Sequence, residues 1–71
     1  MIIRINGREK EFEPGRSLAE ILEVEGIEFD SGIILELNGT IMNKELEVPV
    51  NHGDKVEYLY QIAGGRPGGL G

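Results

Sequence analysis

The chain has 71 residues, room for one small domain whose core is marginal unless packing or partners help it. It has no cysteine and one histidine, His52. Disulfides, thiolate metal sites, cysteine nucleophiles and a zinc site built by this chain alone are therefore excluded, and no metal is expected. The formal net charge of −6 opposes contact with nucleic-acid phosphates; it fits simple solubility or a basic docking surface on a protein partner.

The opening segment "MIIRING" followed by "REKEFE" predicts a β-hairpin, because Asn6-Gly7 tolerates the positive φ of a tight turn. Alternation puts Ile3 and Ile5 on one face and Ile2 and Arg4 on the other. In the second arm Phe12 is the only large apolar side chain, set among Glu9, Glu11 and Glu13, which suits a sheet edge. Pro14-Gly15 breaks it.

"SLAEILEVEG" predicts a short helix. Ser17 and Glu20 have the spacing of a capping box, Leu18, Ile21 and Leu22 form one apolar stripe, and Gly26 can end the helix in the left-handed conformation. So short a helix needs a sheet to pack on. "IILELNG" predicts a strand with Ile33, Leu35 and Leu37 on one face and Ile34 and Glu36 on the other, closed by an Asn38-Gly39 turn. Beyond it, extended pieces are expected near Ile41 and over Val48–Val50, the latter at an edge or out of the ladder because of Pro49. After the "NHGD" turn, "KVEYLYQIA" predicts the last strand, with Val56 and Tyr58 opposite in parity to Glu57 and Leu59.

This order predicts an α+β fold: a mostly antiparallel sheet of four to five strands, one helix on one face, and the last strand central and parallel to the first. Residues 1–63 are expected to form the domain and residues 64–71 a flexible glycine-rich tail. Ile2, Ile34 and Leu59 all fall on the face away from the core residues of their own strands. If they meet, they form a docking patch, to which Ile62 adds at the strand's end; scattered exposure is the plainer alternative.

No constellation supports an enzyme. The carboxylates sit at strand-alternate and helix-surface positions that solvation explains, Ser17 is used by the cap, and His52 lies in a surface turn. The terminal glycines lack the lysine and following helix of a phosphate loop. No apolar run is long enough to cross a membrane, and the N-terminus lacks signal-peptide features, so a soluble cytoplasmic protein is expected. What remains is "AGGRPGGLG". It reads as a linker or a cloning remnant, or as a thin substrate segment that another protein's narrow tunnel admits. A glycine carboxylate is sterically open to adenylation by ATP and to later displacement of AMP.

The "NG" turn of the first hairpin, "SLAEIL", "ILELNGTIM" and "GDKVEYLYQIAGG" together resemble the ThiS family of sulfur carriers, members of the ubiquitin-like β-grasp superfamily. The likeness runs from Met1 to Gly65 and rests on order and spacing. The related molybdopterin-synthase small subunit (MoaD-like) typically carries a proline pair where this chain has Tyr60-Gln61. The resemblance implies that the Gly64-Gly65 end is presented to an E1-like adenylating enzyme (ThiF-like). That enzyme would adenylate Gly65 with ATP, and sulfur from a donor enzyme would make a thiocarboxylate. Thiazole synthase (ThiG-like) would then use the sulfur in thiamin biosynthesis. The carrier would bind no cofactor. One departure stands out: "RPGGLG" follows the diglycine, and an internal Gly65 carbonyl is an amide. A processing protease that trims after Gly65, a cloning remnant, and a true end at Gly69 or Gly71 are the alternatives. Carriers for other pathways, a ubiquitin-like protein modifier and a plain β-grasp interaction domain remain open beside the leading reading.

Overall fold

The computed structural model describes residues 1–61. The expectations for Ile62, for Gly64-Gly65 and for the 64–71 tail lie outside the described residues. Strands β1 (Ile2–Ile5) and β2 (Arg8–Glu11) form the first hairpin, with Ile2 opposite Glu11 and Ile5 opposite Arg8. Asn6 and Gly7 both hold positive φ, at 51° and 83°, as a two-residue turn matched to the strand twist requires. All four residues of β2 are exposed, a charged edge that resists pairing with a second chain. Pairing continues one step past β2. The Met1 ammonium donates to the Phe12 carbonyl at 2.7 Å, and the Phe12 N–H donates to the Met1 carbonyl at 2.8 Å. This folds half-buried Phe12 against the core.

Helix α1 (Leu18–Glu25) begins on the expected capping box: Glu20 N–H donates to Ser17 Oγ at 3.2 Å, and Ser17 N–H donates to Glu20 Oε1 at 2.9 Å. The two remaining free amides of its first turn are satisfied from elsewhere. Leu18 N–H donates to the Val48 carbonyl and Ala19 N–H to the Leu46 carbonyl, both at 2.9 Å. The 46–50 segment therefore lies out of the main ladder, as Pro49 requires, and serves as a second cap. Its one bridge joins Pro49 to Ser17, and Val50 is buried. Such an arrangement answers the demand that helix-end donors find partners. Gly26, at φ 73°, closes the helix with its N–H on the Glu23 and Leu22 carbonyls.

Strands β3 (Ile33–Leu37), β4 (Thr40–Ile41) and β5 (Lys55–Tyr60) complete a five-stranded sheet of order β2-β1-β5-β3-β4. β5 is central: it runs parallel to β1, with Ile5 beside Val56, and antiparallel to β3 from Ile33–Tyr60 to Leu37–Val56. Helix α1 covers one face. Ile3, Ile5, Leu35 and Val56 from the sheet meet Leu18, Ile21 and Leu22 from the helix, closed by Ile27, Ile33 and Val50. Each such side chain fully buried contributes about 1.5–3 kcal/mol, which is what holds a helix of 8 residues in place.

The two Asn-Gly turns do more than reverse the chain. Asn6 N–H donates to the Val56 carbonyl and Asn6 Oδ1 accepts from Tyr58 N–H, each at 2.9 Å. The side-chain carbonyl occupies the acceptor place in the parallel ladder where β1 has already turned away. Asn38, at φ 53°, does the equivalent on the other side: its N–H donates to the Lys55 carbonyl at 2.8 Å, and its Oδ1 accepts from Lys55 N–H at 2.9 Å. Glycine at position 6 would keep the turn and lose the acceptor. Asn6→Gly is expected to cost about 1 kcal/mol in chemical denaturation and to speed hydrogen exchange at the Tyr58 amide, whereas Asn6→Asp keeps that amide protected. Unchanged exchange in Asn6→Gly would show that the tether contributes nothing.

Candidate functional site

The sheet face turned away from α1 has no layer over it among the described residues. Residues directly opposite in neighbouring strands share a face. Ile34 stands opposite Leu59 and Glu36 opposite Glu57, and on the other side of β3 Glu36 stands opposite Ile41. Leu59 is 65% exposed and Ile41 62%. A shallow groove of about 220 Å³ runs between Ile34, Glu36, Glu57 and Leu59. The surface is an apolar pair beside a carboxylate pair. Neither Glu36 nor Glu57 forms an ion pair among the described residues. Like charges set opposite each other in a ladder work against the sheet, so folding gains nothing from this pair.

The expected patch of Ile2, Ile34 and Leu59 divides in two. Ile34 and Leu59 meet across β3 and β5. Ile2 lies three residues before Ile5 and Leu59 three residues after Val56, and Ile5 and Val56 are neighbours in parallel strands. At about 3.3 Å per residue, Ile2 and Leu59 are therefore about 20 Å apart along the sheet. Parity placed all three on one face correctly, but parity carries no register. Ile2 has a local role instead: its N–H donates to His52 Nδ1 at 2.9 Å, which assigns the turn histidine to holding β1. Ile41 and the opposed glutamates join this face only in the folded sheet. Their parity was visible, but their meeting depends on the β3–β5 and β3–β4 registers.

The site lies where the last strand leaves the sheet. Gln61 N–H donates to the Gly32 carbonyl at 2.6 Å, so β5 is anchored to the start of β3 up to the final described residue. The Gly32 N–H donates to Asp30 Oδ1 at 2.7 Å, and a Cβ at that position would stand 3.2 Å from the same oxygen, a tight contact with the end of a side chain. On the other face of β5, Tyr58 and Tyr60 stack edge to face with centroids 5.7 Å apart. Among the described residues no group of three or more metal-ligating side chains gathers, and no helix is long and apolar enough to cross a membrane.

The model of the ThiS family matches residues 3–65. The chain belongs to the ThiS family. The solved structure of the thiamine biosynthesis protein ThiS from Geobacter metallireducens is similar, at 28% identity and a TM-score of 0.76, over 92% of this chain and 100% of that one. Among curated proteins none matches. The fold is thus the small ubiquitin-like β-grasp: a five-stranded mixed sheet grasping one helix.

Because Leu59 is exposed and its neighbours on that face are few, Leu59→Ser is expected to shift stability by no more than about 0.5 kcal/mol, read by thermal unfolding. A loss of several times that size would place Leu59 in the core and remove it from the docking face.

Proposed function

We propose that the chain is a sulfur carrier of thiamin biosynthesis, a substrate protein and not a catalyst, whose working group is the carboxylate of Gly65. The observation that carries this reading is the family match itself. It spans residues 3–65 and stops on the second glycine of the pair, while the sequence continues with Arg66. A glycine carboxylate at that position has no Cβ beside the carbon under attack, and Gly64 leaves the approach equally open.

The chemistry runs in four steps, each performed by a partner. A protease adds water across the Gly65–Arg66 peptide bond. The C–N bond breaks, Arg66 leaves with a free amine, and Gly65 keeps the carboxylate. An E1-like adenylating enzyme lets that carboxylate attack the α-phosphorus of ATP and expels pyrophosphate. A donor enzyme then supplies sulfide-level sulfur, HS−, which attacks the acyl-adenylate carbonyl; the C–O bond to AMP breaks and Gly65 keeps a thiocarboxylate. Thiazole synthase takes that sulfur, and water restores the Gly65 carboxylate. The carrier's share is presentation and docking. Leu59 and Ile34 supply the apolar centre, and Glu36 and Glu57 supply charge that favours cations on the partner. Ile62, next along the chain toward the diglycine, extends the contact, whereas Ile2 stands apart from it.

The test is intact mass after incubation with ATP, a cognate adenylating enzyme and a sulfur donor. A chain ending at Gly65 should gain the difference between sulfur and oxygen, and the chain through Gly71 should not. Gly65→Val should slow the exchange about a hundredfold, the scale on which misplacing a reacting group acts. Addition of a whole partner protein would make the chain a protein modifier. No change with any cognate enzyme would overturn the carrier reading. In the same assay Leu59→Ser should raise KM about tenfold with kcat unchanged, as loss of one docking anchor does; an unchanged KM would remove Leu59 from the contact.

A further inference from the structure

A second groove lies on the helix side of the molecule, away from the Ile34–Leu59 face. It measures about 390 Å³, and its floor is apolar: Ala19 and Leu22 from α1, Ile27 and Phe29 from the segment that follows, and Leu46. Leu46 is held there by the backbone bond between its carbonyl and Ala19 N–H, at 2.9 Å. The rim is acidic. Glu23 and Glu28 line the groove, and exposed Glu45 and Glu47 flank Leu46 in sequence. None of these four carboxylates forms an ion pair among the described residues. Lys44 is the only cation between residues 40 and 50.

We infer that this groove docks a second protein, through an apolar segment flanked by lysines or arginines. Charge decides the occupant. A second copy placed groove to groove would set two acidic rims against each other in a chain of net charge −6. The chain's own residues after Gln61 offer one large apolar side chain beyond Ile62, Leu70, and one cation, Arg66. Ordering so many glycines costs more backbone entropy than one leucine and one exposed ion pair return. A basic, apolar-centred segment satisfies the floor and the rim together. The groove and the Ile34–Leu59 face lie on opposite sides of the sheet, so both can be occupied at once. The inference stands apart from the carrier reading and does not depend on it.

The test titrates the full chain, labelled for amide NMR, with a synthetic peptide that has two leucines between lysine pairs. Saturable shifts are expected at Ala19, Leu22, Ile27, Phe29 and Leu46. The exposed double variant Glu23→Lys/Glu28→Lys should weaken binding at least tenfold, and Glu36→Lys/Glu57→Lys should leave it within twofold. A peptide with glutamates in place of the lysines should not bind. Absence of shifts, shifts centred on Ile34 and Leu59, or equal losses in the two double variants would overturn the inference, the last by reducing it to net charge.

Discussion

β5 lies between two neighbours: β1 pairs with it in parallel at Lys55 and Val56, with Asn6 Oδ1 extending the contact to Tyr58 N–H, and β3 pairs with it antiparallel from Val56 to Tyr60. Parallel neighbours cannot be joined by a tight turn and need a crossover. Here the intervening chain holds β2, α1, β3, β4 and the 46–50 segment. Placing the last strand in the middle therefore forces the intervening chain to wrap one face and leave the other open. The covered face becomes the core, and the open face keeps Ile34, Leu59 and the Glu36–Glu57 pair. A chain leaving a central strand also starts from a fixed point, because Gln61 is still bonded to Gly32. A strand end held in this way leaves a binding partner less of the chain to order.

The same economy of parts appears in the turns and the helix cap. Asn6 and Asn38 each reverse the chain at positive φ and each lend a side-chain carbonyl to the backbone of β5. The 46–50 segment, barred from the ladder by Pro49, satisfies the first-turn amides of α1 and carries Val50 into the core and Leu46 to the floor of the second groove. In a domain this small, residues with two such duties replace the stabilisation a larger core would supply.

Local signals made most of these elements legible. The Ser17–Glu20 box, the Leu18–Ile21–Leu22 stripe, Gly26 and both Asn-Gly pairs act within a few residues, and the structure places each as its chemistry requires. Parity likewise assigned the faces of β1, β3 and β5. The missing information was the offset between strands distant in sequence, which one-dimensional alternation does not contain. Alternation alone therefore groups Ile2 with Leu59, and it shows neither the Glu36–Glu57 opposition, nor the place of Ile41, nor the side-chain duty of Asn6 toward Tyr58.

The central claim is that Gly65 is the acyl group on which sulfur is carried. Its most direct measurement is the intact mass of the protein recovered from its own cells. The account predicts a chain ending at Gly65, with a fraction bearing sulfur in place of one carboxylate oxygen. A population wholly extended through Arg66, with the Gly65–Arg66 amide intact in cells making thiamin through this protein, would contradict it.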